Sequence, residues 1–346
     1  MKNMGRISLA HGSGGVETGE IVNRLIFNKV SESLRRIGGG LGIDIPDDAA
    51  AIPSGKGYIV ISTDTYTVNP PFFPENNIGG LAASGTINDV LMLGALPKAA
   101  LDSIVVEEGF PEEDLEVIID TMIGTLNRYG ISLIGGDFKV MPHGSLDNIV
   151  INVVGIGYAD NLIIDKNLKP GDRIILTGSV GDHGAVILAL QQGYKISSDE
   201  LRSDAKPLYD LMEPLIKNYI DWIHAARDPT RGGVSMALND WAKLSNTIIV
   251  IDEARIHVKE VVRSYSEMLG IDPLHLANEG KALLGVDGRH AEEVLEFIRN
   301  LGYEEAEIIG EVKKSPKYSG MVLLKSHIGG YRILEPPRGE LVPRIC

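Results

Sequence analysis

The chain reads as two mixed domains in series, an α+β domain over residues 1–158 and an α/β domain over 159–326, closed by an irregular tail over 327–346. Three observations carry that expectation. A length of 346 residues suffices for about two domains. Apolar runs of strand length alternate with longer helical patterns along most of the chain. The turn Lys169-Pro170-Gly171-Asp172 opens a second such series, and after His327 no helical period is visible.

In the first domain the loop His11-Gly12-Ser13-Gly14-Gly15 precedes a helical pattern through Ile21, Leu25 and Ile26. The run Tyr58 to Ser62 predicts a buried strand ending at Thr63-Asp64, and the Pro-rich stretch 69–74 predicts a loop. Small residues from Ile78 to Gly94 predict a helix carrying Asn88-Asp89, and Lys98 to Glu107 predicts a strand. Pro111-Glu112-Glu113-Asp114 is a helix start, because Pro suits the first turn and acids suit the positive dipole end. That helix ends at Gly130. Strands follow at Ile131 to Ile134, running into Gly135-Gly136-Asp137, and at Asn148 to Gly157.

In the second domain Arg173 to Thr177 predicts a strand, followed by the loop Gly178 to Gly184 and a helix through Leu190. Helices are expected at 206–222, 234–244, 258–269 and 290–301, and strands at 247–251, 281–286, 306–312 and 321–325. The tail is punctuated by Gly329-Gly330 and Pro336-Pro337. Extended, its 20 or so residues reach about 65 Å.

Composition removes several classes. A net charge of −14 argues against nucleic acid, which selects basic patches, but not against a nucleotide bridged by Mg²⁺. A single cysteine excludes an intrachain disulfide framework and Cys-rich zinc sites. No apolar run approaches the roughly 20 residues that span a membrane. Residues 1–6 lack a signal-peptide core, so a cytoplasmic protein is expected.

Three constellations could carry chemistry. Acids recur at turns, strand ends and one small-residue helix: Asp47, Asp48, Asp64, Asp89 and Asp137. They are either caps and turn formers or oxygen ligands for Mg²⁺ and, through it, a polyphosphate. The glycine loops 11–15 and 178–184 are either ordinary turns or backbone cradles for phosphate. Neither is a Walker A loop, and Gly155-Ile156-Gly157 lacks the third glycine of a dinucleotide fingerprint. The third is Cys346, the last residue, either an incidental end or a nucleophile on a movable arm. Arg344 and the terminal carboxylate act on its thiol with opposite sign and nearly cancel, so activation needs a docking site. Lys139 and Glu279 are either solvated charges or polar groups of such a site.

The motifs Pro46-Asp47-Asp48-Ala49-Ala50, Ser62-Thr63-Asp64, Asn88-Asp89-Val90, Gly135-Gly136-Asp137 and Asp228-Pro229-Thr230-Arg231-Gly232-Gly233 resemble those of the PurM-like (AIR synthetase-related) superfamily. His11-Gly12-Ser13-Gly14-Gly15 and the terminal Pro343-Arg344-Ile345-Cys346 resemble one branch of it, the HypE family of NiFe-hydrogenase maturation proteins. The resemblance implies a two-domain PurM-like fold and a homodimer joined through the N-terminal domain by a barrel-type interface. It implies ATP and Mg²⁺ at His11, Gly12, Gly14, Gly15, Asp47, Asp48, Asp64, Asn88, Asp89 and Asp137, with Asp48, Asp64, Asp89 and Asp137 on the metal. It also implies that HypF carbamoylates Cys346, that ATP drives dehydration of the thiocarboxamide to a thiocyanate, and that the cyano group passes to iron on a HypC–HypD complex. Phosphorylation makes an amide oxygen a leaving group, and the amide nitrogen needs a base; Glu279 is expected in that role, assisted by Lys139. The rivals are a kinase of free small molecules on the same fold, of the thiamine-monophosphate kinase type, and a passive carbamoyl carrier.

Overall fold

The structure is a computed structural model that describes residues 6–194, 196 and 201–339. A 3-10 turn at Leu9–His11 leads into α1 (Val16–Leu25). A five-stranded sheet follows from β1 (Ala50–Ser54), β2 (Gly57–Tyr66), β5 (Leu96–Glu107), β6 (Ser132–Met141) and β7 (Ile149–Ala159). Its order is β1-β2-β7-β5-β6, antiparallel except for the pair β5 and β6. A two-residue ladder, β3 (Phe72–Phe73) with β4 (Asn76–Asn77), turns the chain into α2 (Ile78–Met92), and α3 (Glu112–Arg128) connects β5 to β6.

The small residues of α2 set its distance from the sheet. A Cβ at Gly157 of β7 would lie 2.5 Å from Val90, and one at Gly155 would lie 2.7 Å from Thr86. The helix therefore lies directly on β7 and is buried at every position but Asp89. That close approach delivers Asp89 to the sheet beside Ser62. On α3, Ile118, Met122 and Leu126 form the i, i+4, i+8 stripe that packs inward.

The second domain is a seven-stranded sheet ordered β14-β13-β10-β12-β8-β11-β9. Its strands are β8 (Arg173–Leu176), β9 (Ile223–Arg227), β10 (Ile248–Asp252), β11 (Leu283–Val286), β12 (Glu307–Lys313), β13 (Met321–Lys325) and β14 (Tyr331–Ile333). Helices α4 (Asp182–Gln191), α5 (Tyr209–Tyr219), α7 (Glu260–Leu269) and α8 (Ala291–Asn300) contribute to a core that runs without a break into α2 and α3 of the first domain. Helix α6 (Gly233–Ser245) packs Val234, Leu238 and Trp241 into a second core, with Ile249, Ile251, Val322 and Leu324 of the sheet.

Two expected strands prove longer. β2 passes through Asp64 to Tyr66, and β6 continues through Gly135-Gly136-Asp137 to Met141, because β7 and β5 supply ladder partners along their whole length. The tail differs more. Instead of hanging free from His327, the chain adds β14 antiparallel to β13 and buries Leu334 completely. The carbonyls of Leu334 and Glu335 accept from Asn239 Nδ2 (2.9 Å) and Ser235 Oγ (2.8 Å). Gly339 then donates its N–H to Glu17 Oε2 (3.1 Å) and accepts from Ser13 Oγ (3.3 Å). The tail is thus tied down as far as Gly339; Cys346 lies outside the described residues.

Candidate active site

A buried carboxylate cluster forms where the two domains meet. Asp48 enters from the loop before β1, and its Oδ1 lies 3.2 Å from Arg227 Nε at the end of β9. Arg227 also meets Asp165 Oδ2 at 2.7 Å and Asp240 Oδ2 at 3.3 Å, so one guanidinium serves three acids. The other Asp48 oxygen, Oδ2, is buried without a hydrogen-bond partner. Burial pushes Asp48 up to about 7 against the pull of Arg227, and burial raises Asp165 to about 6.

Asp89 accepts from Ser62 Oγ, and burial followed by the charges of Asp228, Asp64 and Asp48 holds it well above the carboxylate range. Asp228, the first residue of the turn before α6, is also raised, by burial and then by Asp48 and Glu279; its Oδ2 finds no partner. Asp64 accepts its neighbour Thr65's N–H at 3.1 Å and lies 3.9 Å from Arg231. Glu279 is 2% exposed, its Oε1 unpartnered, and burial, then Asp204 and Asp64, raise it strongly. Glu279, expected from sequence as a polar group of the thiol's docking site and as the base, lies buried among these acids.

The glycine loop covers one side. Gly14, at φ +85°, lies so close to Arg231 that a Cβ there would stand 2.4 Å from the arginine's own Cβ. Its N–H donates to Thr18 Oγ1 (2.9 Å), and Gly15 precedes α1. Gly12 follows the 3-10 turn, whose His11 Nδ1 is 2.8 Å from Ser8 Oγ. A cavity of about 280 Å³ lies between this loop and the turn before α6, lined by Gly14, Gly15, Asp48, Arg227, Asp228 and Arg231 among others.

Other expected residues sit elsewhere. Both Asp47 oxygens are taken by backbone N–H groups, of Asp48 and of Asp165, each at 3.0 Å. Asn88 is fully buried rather than facing a ligand. Its amide donates to the carbonyls of Lys206 (3.3 Å) and Glu279 (3.4 Å) and accepts from the N–H of Leu208 (2.7 Å), stitching α2 to the second domain. Asp137 and Lys139 form a 2.6 Å ion pair on the exposed edge strand β6, and Lys139 lowers the Asp137 pKa. Asp137 pairs with Ser103, Ser103 with Asn152 and Asn152 with Thr65. Three strand spacings, about 14 Å, thus separate Asp137 from the Asp64 strand, and the chain by itself does not unite them.

Five carboxyl groups, of Asp48, Asp64, Asp89, Asp228 and Glu279, converge with Arg227 and Arg231 as the facing cations. Among the described residues, no three His, Cys, Asp or Glu side chains already stand as a metal cluster. Unpartnered oxygens on Asp48 and Asp228 among mutually repelling acids nonetheless fit a hard cation that takes one or two carboxylates plus phosphate and water. Sequence reasoning left Arg227, Asp165, Asp228 and Asp240 out of the site. The Asp228–Gly233 motif offered a signal for Asp228; Asp165 and Asp240 lie in no such motif, and the fold alone brings them to Arg227.

Residues 46–159 match the family described as AIR synthase related protein, N-terminal domain, and residues 169–323 match AIR synthase related protein, C-terminal domain. The carbamoyl dehydratase HypE of Rhizobium leguminosarum bv. viciae is 38% identical over 346 residues, covering 99% of this chain and 95% of its own. HypE in a crystal structure of a HypE–HypF complex superposes with a TM-score of 0.82 at 37% identity, covering 93% of this chain and all of that one (100%). HypE crystallised in complex with ATP superposes with a TM-score of 0.79 at 36% identity over 99% of this chain and 100% of that one. With its paired AIR synthase related domains and full-length similarity to these proteins, the chain belongs to the HypE family of hydrogenase maturation proteins.

Proposed function

We propose that the chain is an ATP-dependent carbamoyl dehydratase whose substrate is its own terminal Cys346, carbamoylated by a HypF-type partner. One observation carries the proposal: the tail is tied at Gly339 to Ser13 of the glycine loop and Glu17 in the first turn of α1, at the rim of the buried acid cluster. The relatives named carbamoyl dehydratase, the HypE structure with ATP and the HypE–HypF complex support the same reading.

The net change is thiocarboxamide plus ATP giving thiocyanate, ADP and phosphate. The amide oxygen leaves on phosphorus, and the amide nitrogen gives up two protons. MgATP would supply the phosphoryl group that makes that oxygen a leaving group. Asp48, Asp64 and Asp89 would hold the cation, with Asp228 beside them. Glu279, buried and strongly basic for a carboxylate, accepts a proton from the amide nitrogen. The domain cleft excludes water from the forming nitrile. The cyano group then passes to iron on a HypC–HypD-type acceptor.

Asp137 and Lys139 enter this scheme through a second copy of the chain. All ten residues of β6 are exposed, Ile134 at 61% and Val140 at 57%, which is unusual for an apolar edge strand without a cover. In a homodimer that covers β6, the Asp137–Lys139 pair would complete the partner's cluster. Intact mass of the full chain after treatment with HypF, carbamoyl phosphate and ATP tests the whole proposal. Gain of a carbamoyl group at Cys346 followed by loss of one water is expected. Carbamoylation without water loss would leave a carrier, and no modification of Cys346 would leave a kinase of free substrates.

A further inference from the structure

In the second glycine loop, 178–184, three N–H groups are taken by the protein itself. That of Val180 donates to the His257 carbonyl (3.0 Å), that of Gly181 to Asn278 Oδ1 (2.7 Å) and that of Gly184 to the Ala277 carbonyl (3.1 Å). Two of the three grip the segment that leads to Glu279. The start of α6 presses on the same segment. A Cβ at Gly184 would stand 2.8 Å from the Ala277 nitrogen, and one at Gly233, already at φ +60°, would stand 2.6 Å from the Leu274 carbonyl oxygen. Backbone meets backbone at both contacts, which only a residue without a side chain permits.

Asn278 joins these elements. It is fully buried, and its side chain is fully engaged. Its Oδ1 accepts from Gly181 at the start of α4, and its Nδ2 donates to the carbonyls of Pro229 and Leu276, each at 3.1 Å. The Asn278 N–H also donates to the Pro229 carbonyl (3.1 Å), so one residue fills both lone pairs of that oxygen. Pro229 follows Asp228, and Glu279 follows Asn278. The turn that carries Asp228 is thus fastened to the segment that carries Glu279. A satisfied amide is the ordinary condition of a buried Asn, and alone it means architecture. The two neighbouring carboxyls point further. Asp228 Oδ2 and Glu279 Oε1 are buried with no hydrogen-bond partner. Oxygens without anchors of their own lie where the backbone puts them, and Asn278 ties both backbones together.

We propose that Asn278 is a positioning residue for the dehydration: it holds the turn of Asp228 and the segment of Glu279 at one spacing, with the loop before α4 as the third point of support. The inference rests on Glu279 being the base of the dehydration.

The experiment measures single-turnover thiocyanate formation with MgATP in full-length, carbamoylated protein, for wild type, Asn278→Ala, Glu279→Gln and the double variant, beside ATP affinity by calorimetry. N278A is expected to slow dehydration about tenfold or more while ATP affinity stays within about twofold. In the E279Q background the same change should slow nothing further, since a residue that acts through Glu279 has nothing left to place. A wild-type rate in N278A overturns the proposal. Multiplication of the two losses in the double variant overturns it as well, because Asn278 would then act elsewhere. Equal loss of rate and of ATP affinity does the same, being the mark of general loosening. A native rate in E279Q sinks the base assignment on which the role in dehydration rests. Hydrogen exchange in the ATP-free protein tests the fastening independently of turnover. Residues 228–233 and 274–280 must both exchange at least about tenfold faster in N278A, with α3 unchanged. Loosening of only one of the two segments overturns the proposal. Should N278A fail to fold, Asn278→Ser, which keeps a smaller polar group, carries both measurements.

Discussion

Glu279 shows how far a single residue's role depends on groups distant in sequence. Replacing it with Gln keeps its shape and removes its basicity, so dehydration should slow by about 10²–10⁴-fold, the usual contribution of a general base. ATP binding, measured by calorimetry on the same variant, should persist. Loss of both together would place Glu279 in nucleotide binding instead. In the sequence, Asn278-Glu279-Gly280 reads as a surface turn as readily as a site, because its burial comes from Asp204, Lys206 and Asn88. Asp48 and Asp89 were easier to find, since each sits in a compact motif next to an apolar element. The misplacement of Asn88 has the same origin as the ambiguity of Glu279. A polar residue beside a candidate ligand reads as a ligand until its own hydrogen bonds are known.

At the scale of elements, α2 joins the domains, and Asn88 is its fastening. Asn88→Ala would take from the Leu208 N–H and the Lys206 carbonyl their Asn88 partner, at about 1–3 kcal/mol for each group left unsatisfied, while the Glu279 carbonyl keeps the Lys206 N–H. Denaturant unfolding should therefore show a clearly lowered midpoint with the fold retained. A midpoint equal to wild type would mean that the domain junction does not depend on this amide. The small residues that make α2 legible as a helix also state that it packs closely, and β7 answers with Gly155 and Gly157. β6 was only half legible: Gly135-Gly136 reads as a strand end, yet pairing with β5 carries the strand through both glycines. β14 was hidden altogether, three residues whose strand character comes from the edge that β13 offers.

For the whole molecule, two measurements probe the acid cluster and the proposed homodimer. Asp48 titrates at about 7 in the fold, and Asp89, Asp228 and Glu279 are raised well above the carboxylate range. Unfolded, all four titrate near 4. The folded chain thus holds more protons between those limits, and these groups lose stability as pH rises through that window. The melting temperature should fall from about pH 6 to about pH 8, and MgATP should restore more of it at the higher pH. A melting temperature that rises over that window would contradict the raised carboxyls. The dimer expectation has its own test. Lys139→Ala and Glu279→Gln are each expected to be inactive, and if each site uses Lys139 from one chain and Glu279 from the other, subunits mixed in equal amounts should recover about a quarter of wild-type activity. No recovery after verified exchange would place both residues in sites of a single chain, or Lys139 outside the site.

The bonds from Gly339 to Ser13 and Glu17 change the arithmetic of delivery. Measured from that tether, residues 340–346 can carry the thiol at most about 24 Å, well short of the reach of the whole tail. Confinement within that radius amounts to an effective concentration in the millimolar range at the chain's own cleft. A partner that loads Cys346 must therefore bind at the rim and outcompete an intramolecular rival, unless it first peels β14 from the sheet. Affinity for such a partner and occupancy of the cleft are then linked quantities, and any ligand that favours the docked arm lowers the partner's apparent affinity by the same factor.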